Sequence, residues 1–264
     1  MYATERQQLI EHLVAAEGRV VVVELARRFG VTTETVRRDL DLLESAGAVR
    51  RVHGGAVART RVSTAETSLA ERTTRSSDAK LAIAGRALQA VPADFDGSIY
   101  LDAGTTTAAI AHLLAQRPQA AGPLEVVTHS MTIAHLLAGA PGLSLTAIGG
   151  RVRGLTAAAV GAQTVDAISR LRPDIAFVGT NGLSASFGLS TPDPDEAAVK
   201  RAVLAAARRT FVVADADKFD AELLVSFGGL DAIDVLVTDA APATGDDHGL
   251  AAGLAAADVE VWVA

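Results

Sequence analysis

The sequence contains no cysteine, which excludes disulfides, a thiolate metal site and a cysteine nucleophile. No apolar run approaches the roughly 20 residues that a membrane-spanning helix needs, and the first residues lack the basic and apolar segments of a secretory signal. Aromatic residues are scarce at 4%, yet 49% of the 264 residues are hydrophobic, which is ample for a packed core. We therefore expect a soluble, cytoplasmic protein that needs no metal or other cofactor.

Positive charge is also in short supply, because the net charge is −7. The deficit is unevenly divided along the chain. Residues 1–60 hold nine arginines and eight acidic residues, whereas the remainder holds 15 basic and 23 acidic residues. The acidity therefore belongs to the second part of the chain, and it does not exclude a nucleic-acid partner for the first part.

Residues 23–47 have the pattern of two helices joined by a tight turn. Gly30 can take the left-handed conformation that ends the first helix, and Thr32 or Thr33 can cap the second. Two short β-prone runs around a glycine pair follow at residues 48–57. This order predicts a winged helix–turn–helix, which places its second helix in the major groove of DNA. The buried side of that helix is predicted to comprise Val36, Leu40 and Leu43.

Six arginines lie between residues 37 and 61, opposed by only three acidic residues. Such a cluster on a groove-facing helix and its wing is typical of contacts with DNA phosphates. Two amphipathic helices with a glycine between them also occur in ordinary helical domains, so the arginines and the wing are what favour DNA binding. The DNA-binding candidates are Thr33, Glu34, Thr35, Arg37, Arg38, Arg50, Arg51, His53 and Gly54.

Composition divides the chain into three parts. Residues 1–58 form the DNA-binding module, which includes a short strand at residues 19–22 that could pair with the wing. Residues 59–78 are rich in serine and threonine and poor in large apolar residues, which predicts a linker or the start of an inter-domain helix. Residues 79–264 form a second domain in which short apolar strands alternate with helices.

That alternation predicts a mainly parallel sheet with helices on both faces. Ligands of such sheets bind beyond the carboxyl ends of the strands, so the loops after the strands are where a site is expected. The loop at residues 102–107 is the most informative. Gly104 permits close backbone approach, and the three threonines after it offer hydroxyl and N–H groups at a helix start, which favours a phosphate. A capped helix after a tight turn would have the same sequence.

The later strand-end loops carry polar residues that are weak evidence one at a time. His129 is a lone histidine, a type that is more often a structural hydrogen-bonding group than a ligand contact. Glu196 and Lys200 have the i, i+4 spacing of an ion pair, and stabilisation of their own helix would be enough to explain that spacing. Their common position at one end of the sheet nevertheless predicts one small-molecule pocket with a phosphate subsite. The candidates are Asp102, Gly104, Thr105, Thr106, Thr107, Thr128, Arg151, Gly179, Asn181, Lys200, Asp215 and Lys218.

Taken together, these motifs resemble the DeoR/GlpR family of bacterial transcriptional repressors. The segments that carry the resemblance are 33–40 and 50–56 in the DNA-binding module, and 100–107, 148–151, 178–182, 196–200 and 214–218 in the second domain. The resemblance implies an α/β protein with an N-terminal winged helix–turn–helix and a C-terminal Rossmann-like sensor domain similar to ribose-5-phosphate isomerase. His129 is a departure, because many members of the family carry asparagine there.

The resemblance also implies a function. Members of the family sense phosphorylated sugars, which usually release the repressor from its operator DNA. This sequence looks most like actinobacterial members linked to fructose-uptake operons, so fructose 1-phosphate is the first candidate effector. Specific DNA sites usually need two recognition helices at a fixed spacing, and we therefore expect a homodimer or homotetramer.

Two alternatives to such a repressor are an activator of transcription and an isomerase-like enzyme that acts on sugar phosphates. An isomerase needs a positioned carboxylate to move a proton between adjacent carbons. The loop at residues 179–182, where the similar isomerases carry aspartates, is neutral in this sequence. We therefore expect a domain that binds phosphate without catalysis, and no enzyme.

Overall fold

A computed structural model of the chain describes residues 3–45, 48–52, 54–58, 63–64, 66, 72–73, 76–116, 124–244 and 249–264. The chain divides into two compact units, Met1–Val62 and Ser63–Ala264. We refer to them as the DNA-binding unit and the sensor unit. Within the described ranges, no helix combines the length and the apolar character that a membrane crossing requires.

The DNA-binding unit has the predicted order of elements. They are α1 (Ala3–Glu17), β1 (Arg19–Val21), α2 (Val22–Phe29), α3 (Thr33–Ser45), β2 (Val49–Val52) and β3 (Gly55–Ala58). Strand β3 pairs antiparallel with both β1 and β2, which makes a three-stranded wing. The predicted strand at residues 19–22 ends one residue early, because Val22 opens α2.

Local chemistry explains the turn between α2 and α3. Gly30 ends α2 with φ of 64°, a left-handed conformation that costs glycine little. The Thr32 hydroxyl then accepts a hydrogen bond from the Thr35 N–H at 3.2 Å, so Thr32 is the cap of α3. The predicted buried side of α3 is confirmed: Val36 and Leu40 are fully buried and Leu43 is nearly so.

A buried ion pair joins α1 to α3 in the core of the DNA-binding unit. The Arg6 guanidinium donates two hydrogen bonds to the Asp39 carboxylate, at 2.5 Å and 3.1 Å, and both residues are buried. The Asp39 carboxylate raises the pKa of Arg6 by hydrogen bonding. Gln7 adds a third donor to Asp39 at 3.0 Å. Helix α3 therefore has a fixed position against α1 that does not depend on its exposed side.

The sensor unit contains the remaining helices and strands. Its helices are α4 (Ser77–Ala87), α5 (Thr105–Leu114), α6 (Met131–Leu137), α7 (Ala162–Ser169), α8 (Pro194–Ala206) and α9 (Leu250–Ala256). Its strands are β4 (Ser98–Leu101), β5 (Leu124–Thr128), β6 (Leu143–Ala147), β7 (Arg151–Arg153), β8 (Ala158–Val160), β9 (Ile175–Gly179), β10 (Gly182–Ser184), β11 (Gly188–Thr191), β12 (Thr210–Val213), β13 (Val225–Gly228), β14 (Val235–Thr238) and β15 (Glu260–Val263).

Seven of these strands form one parallel sheet in the order β15-β14-β12-β9-β4-β5-β6. The chain enters the sheet at β4, extends to one side through β5 and β6, and then returns to the other side of β4 with β9. The order therefore reverses between β4 and β9, and a reversal of this kind opens a crevice beyond the carboxyl ends of the two strands.

Both faces of the sheet are covered, as the alternating pattern predicts. One core contains Ile83, Ile110 and Ile133 of helices α4, α5 and α6, and the other contains Ile168 and Val199 of helices α7 and α8. Two smaller antiparallel groups, β7-β8 and β10-β11-β13, lie outside the main sheet. Their glycine-rich segments, such as residues 179–182, have the sequence of loops, and the hydrophobic pattern of the chain does not predict helix α9.

Replacing Asp39 with alanine should lower the free energy of unfolding of the DNA-binding unit by about 3–5 kcal/mol, because Arg6 would remain as an uncompensated buried charge. Calorimetric unfolding of the whole chain measures this loss. Asp41→Ala is the matched control, since Asp41 lies on the exposed side of the same helix and its ion pair with Arg51, at 3.3 Å, should contribute less than about 1 kcal/mol. Equal effects of the two substitutions would contradict the structural role of the Arg6–Asp39 pair.

Candidate ligand cleft and DNA-binding surface

The sensor unit has an open cleft beyond the carboxyl ends of β4, β9 and β12. It therefore lies at the point where the strand order reverses. Four basic and two acidic side chains line it. These are Arg72, Lys80, Lys200 and Lys218, with Glu196 and Asp215. The excess of basic groups favours an anionic ligand.

One wall of the cleft is the loop after β4 together with the first turn of α5. Gly104 is the residue before the helix, and its extended φ of 171° is one that any residue can adopt. The space around it is what limits the side chain, because a Cβ there would lie 3.3 Å from the Thr107 hydroxyl oxygen. The N–H groups of a first helical turn have no intrahelical acceptor, so Thr105 and Thr106 present donors to an anion.

The Thr107 hydroxyl is already used within the protein. It donates to the carbonyl of Asp102 at 2.7 Å and approaches that of Gly104 at 3.0 Å, which shapes the turn into α5. Thr107 lines the cleft, but among its polar groups the backbone N–H is the one left for a ligand. The loop is thus both a capped turn and a row of donors, and the two interpretations of its sequence are compatible.

Asp102 lies beneath the cleft and not on its surface. Its side chain is fully buried, and its Oδ2 atom accepts hydrogen bonds from the Gly179 N–H at 2.9 Å and from the Lys200 ammonium. Lys200 also donates to the Gly179 carbonyl at 2.8 Å. This arrangement, which we call the Asp102–Lys200 brace, joins β4, β9 and α8 at the reversal point.

His129 extends the buried polar group below the brace. Its Nδ1 lies 2.7 Å from the Tyr100 hydroxyl, and its Nε2 lies 3.7 Å from Asp102 Oδ1. Burial lowers the pKa of His129 to about 4, an effect that Asp102 only partly opposes. Burial also raises the pKa of Tyr100 well above its ordinary value. Both side chains are therefore neutral at pH 7, and His129 has a structural position away from the cleft lining.

Glu196 lines the cleft with its carboxylate already bound. Its Oε1 accepts hydrogen bonds from Thr156 at 2.5 Å and from Arg153 at 3.1 Å. Arg153 also pairs with Asp193 at 3.0 Å and with Glu66 at 2.6 Å. The hydrogen bond to Glu66 is the largest cause of a raised pKa for Arg153, with the neighbouring carboxylates adding to it.

The opposite wall of the cleft comes from the loops after β9 and β12. Asn181 accepts a hydrogen bond from Thr191 at 3.0 Å, which fixes its amide at the edge of the cleft. Asp215 is buried, and its Oδ1 has no hydrogen-bond partner within the described part of the chain. Lys218 brings its ammonium to 3.8 Å from that oxygen.

The structure brings together nine of the twelve ligand candidates as lining residues of the cleft. They are Gly104, Thr105, Thr106, Thr107, Gly179, Asn181, Lys200, Asp215 and Lys218. Asp102 supports the cleft from below. The two remaining candidates, Thr128 and Arg151, lie outside the lining.

Thr128 is fully buried and donates to the carbonyl of Leu101 at 2.7 Å, so its hydroxyl links β5 to β4. Arg151 belongs to strand β7 and pairs with Asp195 on the exposed side of the β7-β8 hairpin. The side chain of the same hairpin that turns inward is Arg153. A position at the end of a strand thus predicts the region of the site correctly, but it does not predict where the side chain points.

Sequence reasoning missed two cationic residues of the cleft, Arg72 and Lys80. Both fall in or next to the stretch taken for a linker, where charged residues among serines and threonines gave no sign of burial. The residues of that stretch that the structure describes belong to the sensor unit. The sequence contains one sign that Lys80 is buried: it lies on the same helix as the apolar Ile83 and Ala84, which are also buried.

The candidate DNA surface is the exposed side of α3. Arg37 and Arg38 leave 57% and 79% of their side chains exposed, and Glu34 lies 3.7 Å from both guanidinium groups. These distances leave the arginines loosely held and able to turn to another anion. Thr33 is exposed and Thr35 half-buried at the start of the same helix.

The wing candidates have different surroundings. The Arg51 guanidinium lies 3.3 Å from Asp41, and its backbone N–H donates to Glu44 at 2.8 Å. Gly54 is exposed in the hairpin turn with φ of 78°, which explains glycine there, and a Cβ on Gly55 would lie 1.9 Å from the carbonyl oxygen of Val20. His53 and the Arg50 side chain lie outside the described residues.

A winged helix–turn–helix joined to a sensor unit with an anion-favouring cleft defines a ligand-responsive DNA-binding regulator as a class. Comparison with known proteins gives the particular family. Residues 6–62 match the DeoR-like helix–turn–helix domain, and residues 75–240 match the DeoR C terminal sensor domain. The chain belongs to the DeoR family of transcriptional regulators.

Individual relatives match along nearly the whole chain. The HTH-type transcriptional regulator FruR of Bacillus subtilis is 33% identical over 94% of this chain and 96% of its own. The glycerol-3-phosphate regulon repressor of Escherichia coli is 31% identical over 92% and 93%. These relatives are named as regulators of transcription.

Among solved structures, the sorbitol operon regulator SorC of Klebsiella pneumoniae matches with a TM-score of 0.40 and 13% identity, over 90% of this chain and 96% of its own. The ribose 5-phosphate isomerase of Methanocaldococcus jannaschii matches with a TM-score of 0.39 and 18% identity, over 54% of each chain.

Because the folded protein holds His129 neutral, we expect stability to fall as the pH drops. Between the ordinary pKa of 6.5 and the folded value of about 4, the unfolded chain binds a proton that the folded chain does not. His129 should therefore cost the wild type about 2–3 kcal/mol between pH 7 and pH 4.5. Urea denaturation at both pH values measures this, and His129→Asn should lose less stability over the same interval. Identical losses in the two proteins would contradict a neutral buried histidine.

Proposed function

We propose that this protein represses a sugar catabolism or uptake operon by binding double-stranded operator DNA, and that a phosphorylated sugar releases it. The observation that carries the proposal is the cleft at the reversal point of the sheet, where helix N–H groups face an excess of basic side chains. A phosphate group satisfies both features, and neutral hydroxyl-bearing sugar atoms can bond to Asn181 and Asp215.

The mechanism we propose is thermodynamic linkage. The effector must bind better to the state of the chain that has low affinity for DNA, since a ligand with equal affinity for both states shifts nothing. We propose a homodimer or homotetramer as the active form, because a specific site usually engages two recognition helices.

Fructose 1-phosphate is our first candidate effector. The sequence resembles members of the family linked to fructose uptake, and one relative carries the name FruR. Glycerol 3-phosphate is a necessary comparison, because other relatives are named as repressors of the glycerol-3-phosphate regulon. Fructose 1,6-bisphosphate and other sugar phosphates are the next candidate effectors.

For the DNA contacts, we expect Arg38→Ala to weaken binding to a specific operator by about 1–3 kcal/mol, because the exposed guanidinium would no longer reach a base edge or phosphate. A gel-shift titration with a duplex selected from random sequence by the wild-type protein measures this. Arg170→Ala, a similarly exposed arginine of the sensor unit, serves as the control.

The wild-type protein should also bind that duplex less tightly as salt rises, because the arginines of α3 and the wing release counterions from DNA. Arg38→Ala should have a shallower dependence on salt. If affinity is unchanged by the substitution and flat against salt, α3 does not face DNA.

For the effector site, we expect Gly104→Val to abolish phosphate binding while operator binding persists. The extended backbone of Gly104 tolerates valine, but the added side chain would occupy the wall on which we place the phosphate. Calorimetry of fructose 1-phosphate, glycerol 3-phosphate and free fructose against both proteins measures the loss. Gly139→Val is the control, since Gly139 is exposed away from the cleft with no atom within 4 Å of its Cβ position. Normal binding by Gly104→Val, or equal binding of free fructose, would show that the phosphate site lies elsewhere.

A further inference from the structure

We propose that Arg72 is a direct ligand of the effector's anionic group, and that through Arg72 the segment entering the sensor unit responds to occupancy of the cleft. This inference rests on the proposed function, because it takes the effector to be phosphorylated. It adds a residue outside the strand-end loops and a physical route by which binding acts on the segment that follows the DNA-binding unit.

The guanidinium of Arg72 is the first observation. Arg72 lines the cleft, yet its Nε and Nη2 atoms are shielded from solvent and have no hydrogen-bond partner within the described part of the chain. Leaving charged donors buried without acceptors is costly, and folded proteins rarely do so. The planar fork of these two N–H groups matches two oxygens of a phosphate. An anion in the cleft would satisfy both donors at once.

The backbone of Arg72 is held in place by a second cleft residue. The Lys80 ammonium donates to the Arg72 carbonyl at 3.0 Å, and Lys80 is buried on helix α4. The backbone from which the Arg72 side chain extends is therefore held in place, while the guanidinium lacks an acceptor. Holding the backbone lowers the entropy cost of binding, since this part of Arg72 is already ordered when the anion arrives.

Gly104 and the first turn of α5, with their backbone donors, line the same cleft as Arg72. The two sets of donors come from parts of the chain with different connections. The helix start is part of the sheet's own framework, whereas Arg72 belongs to the segment that follows the DNA-binding unit. A phosphate bound by both would tie that segment to the framework.

Earlier in the chain, the segment is also attached to the rest of the sensor unit. The carbonyl of Ser63 accepts from the Leu224 N–H at 3.0 Å. The Glu66 carboxylate, which is buried, pairs with Arg153, and Arg153 holds the cleft residue Glu196. Binding in the cleft thus acts on a segment that has Glu66 at one attachment and Arg72 at another. An anion bound by Arg72 would add contacts at the second of these attachments.

The test uses the full-length protein with fructose 1-phosphate, glycerol 3-phosphate and inorganic phosphate as probes. We expect Arg72→Gln to lower the affinity for each phosphate that the wild type binds by about 10- to 100-fold, the range for losing hydrogen bonds to a charged group. Arg72→Lys, which keeps the charge without the fork, should fall between the two. Arg170→Gln is the matched control, because Arg170 is exposed and pairs with Asp166 away from the cleft.

Hydrogen exchange supplies a readout that a merely structural arginine would not change. In the wild type, the bound phosphate should slow exchange in the peptide that carries Arg72, and a selected operator duplex should be released. In Arg72→Gln the slowing should be lost at phosphate concentrations that still occupy the cleft, and release should need correspondingly more phosphate. If Arg72→Gln fails to fold, wild type and Arg72→Lys decide the question by the same two measurements.

The outcomes separate this inference from the proposed function. If the wild type binds none of the phosphates, the proposed effector class is wrong and the role of Arg72 falls with it. If the wild type binds a phosphate and Arg72→Gln binds it equally well, the effector class stands and Arg72 is not a ligand. If affinity falls but exchange near Arg72 is unaffected by phosphate in the wild type, the coupling role is overturned.

Discussion

The sensor unit depends on the Asp102–Lys200 brace. It lies where the two halves of the parallel sheet meet, and it ties the end of β4 to β9 and to helix α8. Removing either partner would strand a charge in the interior, which is among the most destabilising changes a protein can undergo. Because Lys200 is paired with Asp102 beneath the cleft, the floor of the cleft has a fixed shape. The other basic side chains of the lining then give the cleft its preference for anions.

Around that floor, the polar residues of the cleft divide into those that support it and those that are open to a ligand. Glu196 is engaged by Arg153 and Thr156, and the Thr107 hydroxyl is engaged by its own turn. Among the described residues, the groups left open are the N–H groups of the first turn of α5, the Nε and Nη2 atoms of Arg72, and the Oδ1 atom of Asp215. The open donors favour an anion in this cleft, and the open carboxylate oxygen can accept from a hydroxyl group.

Local hydrophobic patterns were enough to predict a mainly parallel sheet with helices on both faces, and a winged helix–turn–helix before it. The small antiparallel strands were missed because glycines such as Gly182 and Gly188 serve close packing there, which a sequence does not reveal. The expectation that ligands bind beyond the carboxyl ends of the strands located the cleft. It misplaced Arg151, because it does not say in which direction a side chain points. Arg72 was missed because most of the other residues that line the cleft with it lie far along the chain, at positions 103–218.

The central pairing of the sheet has a consequence for how the protein is made. Strand β4 pairs with β9, and the hydrogen bond between Ser98 and Asp174 beside this pairing spans 76 positions of the chain. Contacts so distant in sequence form slowly, whereas the buried Arg6–Asp39 pair of the DNA-binding unit spans 33 positions. On the ribosome, that unit is complete long before β9 and β12 emerge to finish the cleft. A nascent or truncated chain would therefore acquire its DNA-binding surface before any means of responding to an effector.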